Sequence, residues 1–373
     1  AGAIARHTGT PGAPGDDTRS AATLAEAETA VRLLSAARDT ARDADGTPLP
    51  RPAEGPLPAP QHPPGRIAVT GASGFIGSHL TQRLVTGGST VTAVVRDLAK
   101  LAPLSHLAGP RLRPHRADIR DADALAEAFR GCDTVVHTVH GGEGTPEEQW
   151  SVGVDGTRAA LAAARRAGVR RFVHVSTVAV YDDKGRSRID ESTPRLAHNP
   201  GARDYAHQKL AAEELVLASG SDGLTTAVVQ PTVVYGPGSP AWTLTPLRRL
   251  REGRTALPTG DEGGTCNAVH VSDVADALIA AATRPAPEQA RMLVSGPATL
   301  PWGRFYDAYR ELLGTPEAAT SGAPPEEWER ALYDSHATVS TDAVTAFGCP
   351  PRTDFRTGFA HTAAWARWAG IVQ

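Results

Sequence analysis

The sequence predicts an α/β fold: a doubly wound parallel sheet with a smaller C-terminal substrate lobe and an N-terminal extension. Three observations predict it. From Arg66 onward, short apolar runs alternate with helical segments, the pattern of parallel strands joined by crossover helices. The stretch Val69-Thr70-Gly71-Ala72-Ser73-Gly74-Phe75-Ile76-Gly77 passes from a strand through a glycine turn into a helix. Tyr205 and Lys209 stand four residues apart, hence side by side on one helical face.

Taken in order, residues 1–64 read as an extension. Ala1 to Ser20 are small and polar and residues 47–64 are dense in proline, which is linker composition. Between them Leu24, Ala27, Val31, Leu34 and Ala37 recur at helical spacing and predict one helix over Ala21 to Ala44. Strands are expected at Arg66 to Thr70, Thr90 to Val95, Leu112 to His115, Thr134 to His137, Arg171 to Val175, Thr225 to Val229 and Met292 to Val294. The intervening helices fall near Ile76 to Thr86, Ala122 to Phe129, Glu148 to Ala167 and Asp204 to Ala218. Right-handed crossovers then cover both faces of the sheet, and its ligand lies beyond the carboxyl ends of the strands. Residues 65–236 with 267–296 form the expected dinucleotide-binding domain. Residues 237–266 with 297–373 form the substrate lobe, with helices near Trp302 to Leu313, Pro325 to Tyr333 and Gly358 to Ala369.

Composition narrows the classes. A net charge of −3 without a basic tract gives no support for nucleic acid or an anionic membrane as partner. No apolar run approaches the roughly 20 residues of a membrane span, and no apolar signal core is present. Cys132, Cys266 and Cys349 are too far apart in sequence for a metal-ligand motif. They read as reduced thiols, which favours a cytoplasmic setting, no metal, and a small molecule as partner.

Gly71, Gly74 and Gly77 allow, in turn, a tight turn, close backbone approach to phosphate and close helix packing. Ser73, Phe75 and Ile76, between them, belong to the same pyrophosphate-binding turn. At the end of the second strand, where an acid would bind the ribose 2′-OH of NAD, stands Arg96, with Lys100 a turn further. A guanidinium there suits a 2′-phosphate, so NADP is preferred and NAD stays open. Asp97 follows at once, its side chain expected to point away from Arg96. A free phenol has a pKa of about 10, and an adjacent ammonium favours the phenolate, so Tyr205 with Lys209 suits proton transfer at a redox centre. His140, after the fourth strand, is a substrate contact or a plain loop histidine. Trp242 is a pocket candidate, as are Trp302, Tyr306 and Tyr309, although aromatics at helical spacing more often build core.

The ordered set of motifs resembles the extended short-chain dehydrogenase/reductase family, which contains nucleotide-sugar epimerases, dihydroflavonol-type reductases and 3β-hydroxysteroid dehydrogenases. The glycine turn is followed by Ala117-Asp118-Ile119, Val136-His137, Val154-Asp155-Gly156-Thr157 and Val175-Ser176-Thr177-Val178-Ala179-Val180-Tyr181. Then come Tyr205-Ala206-His207-Gln208-Lys209, Pro231-Thr232-Val233-Val234-Tyr235-Gly236-Pro237-Gly238 and Val269-His270-Val271-Ser272-Asp273-Val274-Ala275. The resemblance runs from Arg66 to the C-terminus and implies a Rossmann-type fold with hydride transfer at a carbon–oxygen centre. It implies Thr177, rather than Ser176, with Tyr205 and Lys209 as the catalytic group, and Asp118 at the adenine amino group. Ile119, Thr138, Pro231, Val233 and Val234 would line the cofactor, together with Tyr205 and Lys209. A homodimer through two helices is a further expectation from the family.

Departures from the family narrow the substrate. Val233 and Cys266 occupy the places of an asparagine and an arginine that grip a sugar diphosphate, and Val178-Ala179 replaces the Asp-Glu pair of 4,6-dehydratases. Gly153 replaces an asparagine, which argues against a proton relay through that side chain. A less anionic ketone or alcohol, polyketide-like, aromatic or terpenoid, is expected. The leading expectation is an NADP-dependent ketoreductase of specialised metabolism. An epimerase that retains its cofactor and a non-catalytic dinucleotide sensor are the alternatives. The complete Thr177, Tyr205 and Lys209 set counts against the sensor, and the missing diphosphate grip against the epimerase.

Overall fold

In a computed structural model, the described residues are 65–372 apart from 143, 198, 200, 202–203, 221–222, 254–255, 286–289 and 316–324. The expected helix over Ala21 to Ala44 and the proline-dense linker lie outside the described residues. Seven strands, β1 (Arg66–Thr70), β2 (Thr90–Val95), β3 (Leu112–Arg116), β4 (Thr134–His137), β5 (Arg171–Val175), β6 (Thr225–Pro231) and β7 (Ala290–Val294), form one sheet. Their order is β7-β6-β5-β4-β1-β2-β3, and every neighbouring pair is parallel. The chain winds outward in both directions from the β1–β4 pair, where Thr70 is in register with His137. That is the switch point at which such sheets open a ligand crevice.

Successive strand residues point to opposite faces, and each face has its own helices. Ile67 and Val69 pack with Leu80 and Leu84 of α1 (Phe75–Thr86). Ala68 packs on the other side with Leu125 and Phe129 of α2 (Ala122–Phe129) and Ala160 and Ala164 of α3 (Gly156–Arg166). Two of the catalytic candidates, Tyr205 and Lys209, lie on α4 (Tyr205–Ala218), opened by Asp204, whose carboxylate accepts from the backbone N–H groups of Ala206 and His207.

Two differences from the sequence expectation have clear causes. The single helix expected from Glu148 to Ala167 is divided into Pro146–Trp150, a π-turn over Ser151–Asp155, and α3. The wide turn contains Gly153, against which the side chain of Gln208 is packed. A further helix, α5 (Val271–Thr283), had no counterpart in the sequence reading. Eleven of its 13 residues are buried, so it lacks the polar face that helical periodicity relies on. With Val274 and Leu278 it packs on the same face as α1.

A separate aromatic core contains Trp302, Phe305, Tyr306 and Tyr309 of α6 (Trp302–Leu313) and Ala363 and Ala366 of α7 (Phe355–Trp368). A short parallel pair, Val233–Tyr235 with Ala268–His270, adds Val233, Tyr235 and Ala268 to this core. Among the described residues, no helix is long and apolar enough to cross a membrane.

Candidate active site

The turn after β1 is built on close backbone approach. Gly71 has φ of 71°, a left-handed conformation that favours glycine. A Cβ on Gly77 would stand 2.1 Å from the Gly71 carbonyl oxygen, so α1 can reach the turn only through glycine. Thr138 Oγ1 donates to the Thr70 carbonyl at 2.8 Å and ties the end of β4 to the turn. Gly74 caps α1 with no side-chain bond, and no acidic residue lies in the first turn. With Ser73, Phe75 and Ile76 in that turn, its N–H groups and positive dipole end fit the pyrophosphate of a dinucleotide.

At the other end of the crevice, Arg96 is exposed directly after β2. Asp97 turns back on its own helical turn, its Oδ1 accepting from the Ala99 N–H at 3.0 Å. Asp118 is gripped by Arg120, with Nε to Oδ1 at 2.9 Å and Nη2 to Oδ2 at 2.8 Å. That bidentate bond, helped by the charge of Arg96, holds the Asp118 carboxyl down at about 2. Arg120 was not anticipated, although its position two residues past Asp118 was a usable signal. Ile119 abuts α3, since a Cβ on Gly156 would stand 2.8 Å from its Cγ2. Pro231 ends β6, and Val233 and Val234 are buried in the adjoining short strand.

The catalytic candidates converge where β5 ends. Tyr205 is 48% exposed, whereas Lys209, one turn further along α4, is 3% exposed. Lys209 Nζ donates to the Val175 carbonyl at 2.8 Å. Burial lowers its pKa to about 8, opposed by the charge of Glu213. Protein atoms crowding the Tyr205 hydroxyl raise its pKa above the ordinary phenol value, while a hydrogen bond with Thr177 pulls it down. The pull toward phenolate expected of Lys209 is not among these influences, its ammonium being turned onto Val175. The phenol therefore holds its proton near neutrality, the state required of a general acid.

Ser176 and Thr177 face different partners. Ser176 Oγ donates to Glu213 Oε2 at 2.7 Å, Gln230 Nε2 donates to the same oxygen at 2.9 Å, and Tyr181 Oη donates to Gln230 Oε1 at 2.8 Å. This network lies wholly beneath the site, and burial pushes the Glu213 carboxyl up against the pull of its bonds. Its members come from three separate segments, and the sequence reading missed it.

A second buried chain passes under the crevice. Thr157 spends its only hydroxyl proton on the Gly153 carbonyl at 2.6 Å. It therefore accepts from His137 Nε2 at 3.0 Å, and His137 Nδ1 accepts from Thr70 Oγ1 at 2.8 Å. Burial, with the charge of Lys209, holds His137 neutral at a pKa of about 3. Donation runs one way and ends on a backbone carbonyl, so residue 153 passes no proton onward.

His140 stands edge-on to the Tyr205 ring, with centroids 6.0 Å apart. Trp242 instead joins the aromatic core, 5.3 Å from Trp302 and 6.3 Å from Phe305 between ring centroids. Trp302, Tyr306 and Tyr309 are buried in that core. Among the described residues, no cluster of His, Cys, Asp and Glu could hold a metal ion.

Residues 67–294 match the family model of the NAD dependent epimerase/dehydratase family. Over 225 residues the chain is 35% identical to a 4-hydroxy-2-methyl-3-oxo-4-farnesyl-3,4-dihydroquinoline-1-oxide ketoreductase of Stigmatella aurantiaca, covering 59% of this chain and 65% of that protein. It is 31% identical over 235 residues to a 3 beta-hydroxysteroid dehydrogenase/Delta 5→4-isomerase of Mycobacterium tuberculosis, covering 60% and 62%. The chain thus spans 65% and 62% of the length of these two curated relatives. A solved dTDP-glucose 4,6-dehydratase from Streptomyces venezuelae, with NAD and TYD bound, is similar at a TM-score of 0.68 and 26% identity, over 83% of this chain and 99% of that one.

Proposed function

The chain belongs to the NAD dependent epimerase/dehydratase family, within the extended short-chain dehydrogenases/reductases, and from that premise we propose that it is an NADP-dependent ketoreductase acting on a non-nucleotide substrate. The observation that carries the reading is Thr177, Tyr205 and Lys209 gathered at the end of β5, at the carboxyl edge of the sheet that also bears the glycine turn.

A bound nicotinamide cofactor supplies the hydride in the reducing direction. Tyr205 donates its phenolic proton to the substrate oxygen as hydride reaches the adjoining carbon, and Thr177 hydrogen-bonds that same oxygen. Lys209, on the next turn, spends one donor on the Val175 carbonyl and keeps others for the hydroxyls of the nicotinamide ribose. Arg96, exposed and with Asp97 engaged on its own turn, supports recognition of a 2′-phosphate. The substrate class is supported by Val233 and Cys266, uncharged and 7% and 0% exposed. It is supported also by relatives named for a quinoline-oxide ketoreductase and a hydroxysteroid dehydrogenase.

The test is a panel of aromatic, polyketide-like and terpenoid ketones, followed by the loss of NADPH absorbance. Reduction of at least one is expected. Tightly held NAD in the purified protein, with interconversion of a sugar nucleotide and no ketone reduced, would replace this reading with the epimerase one.

A further inference from the structure

Gln208 sits between Tyr205 and Lys209 in sequence and is 1% exposed. Its amide meets both polar backbone groups of a single residue in the loop after β4. Oε1 accepts from the Gly141 N–H at 3.1 Å, and Nε2 donates to the Gly141 carbonyl at 3.3 Å. Both groups are buried, so each needs a partner, and one planar amide satisfies the two together.

Two glycines make this fit possible. A Cβ on residue 153 would stand 2.5 Å from Gln208 Oε1 and 2.6 Å from its Cδ, so any other residue there displaces the amide. A Cβ on Gly141 would stand 1.9 Å from the Gln149 carbonyl oxygen, so the loop is wedged between α4 and the segment Pro146–Trp150. The residue next to Gly141 is His140, whose ring stands edge-on to Tyr205.

We propose that Gln208 is a positioning residue: its amide clamps the loop after β4 through Gly141 and so sets His140 against Tyr205, an arrangement that requires glycine at 153. The clamp is a property of the fold alone, while its effect on turnover rests on the ketoreductase reading.

Gln208→Met keeps the bulk and removes both hydrogen bonds, which separates clamping from space filling. The readout is the titration of the His140 imidazole by NMR in the full chain, with its signal identified by loss in His140→Gln. Crowding, the largest influence, and the charge of Lys209 hold His140 below its ordinary value, opposed by a hydrogen bond to the Gly141 backbone. Release of the loop should move its midpoint up by roughly half a pH unit or more. Gly153→Ala, which drives the amide away, should do the same, and combining the two should add little, since they break one interaction. An unchanged His140 midpoint in folded Gln208→Met overturns the proposal. If that variant does not fold, the midpoint in Gly153→Ala decides in the same way. With a ketone substrate, kcat should fall while NADPH affinity is kept. A shifted midpoint with no loss of kcat would overturn the effect of the clamp on turnover and leave the clamp itself standing.

Discussion

Ser176 Oγ lies 2.7 Å from Glu213 Oε2 in a wholly buried network, so the neighbouring hydroxyl of Thr177 is the one left to the crevice. Two adjacent residues with interchangeable hydroxyls should therefore fail differently. Ser176→Ala strips a partner from a buried carboxyl and should cost about 1–3 kcal/mol of stability with little change in turnover. Thr177→Ala should lower turnover and leave the melting temperature near that of the native chain. Thermal melts beside NADPH-oxidation rates decide between them, and the reverse pattern would give the role to Ser176.

Tyr205→Phe should abolish ketone reduction while sparing NADPH affinity, because the hydroxyl alone moves the proton and the nucleotide is held by the glycine turn and Arg96. A lost general acid typically costs a factor of about 10²–10⁴ in rate. Native turnover in this variant, on any ketone the native chain reduces, would remove Tyr205 from the mechanism.

NADPH should bind more tightly than NADH, and Arg96→Asp should reverse the order. Loss of a charge-assisted phosphate contact is worth about 1.5–3 kcal/mol, or about tenfold to a hundredfold in affinity. Fluorescence titration with both nucleotides measures it. Equal affinities in the native chain would refute the assignment.

Reduction should weaken as pH rises through about 8, where the buried ammonium of Lys209 loses its proton. The sign follows from charge: below that pH Lys209 is cationic and can hold the nicotinamide ribose by charge-assisted hydrogen bonds, and above it this support is gone. The profile of kcat against pH should show a falling limb there. Lys209→Met should be slow throughout and lack the limb, and a native profile flat between about pH 7 and 9 would contradict the assignment.

What the sequence disclosed and what it concealed divide along physical lines. The strands, the glycine turn and the Tyr205–Lys209 spacing rest on local pattern, and all appear at or near their expected places. Helix α5 stayed hidden because it is buried nearly all round. The π-turn escaped because it lies where Gly153 packs against Gln208, 55 positions away in the numbering. The Ser176, Glu213, Gln230 and Tyr181 network likewise joins separate segments, and spacing carries no trace of such contacts. Trp242 shows the opposite limit: its residue type suited a pocket, and the aromatic core took it.

The seat of Lys209 on the Val175 carbonyl also sorts the amines of the chain by reactivity. Lys100, Lys184 and Lys209 are its only lysines, the first two exposed and the third enclosed. An acylating reagent therefore meets two side-chain amines in solvent and leaves Lys209 untouched. Lys184 offers an anchoring point for a solid support, and a fluorophore on Lys100, a turn beyond Arg96, would sit where it senses an arriving nucleotide.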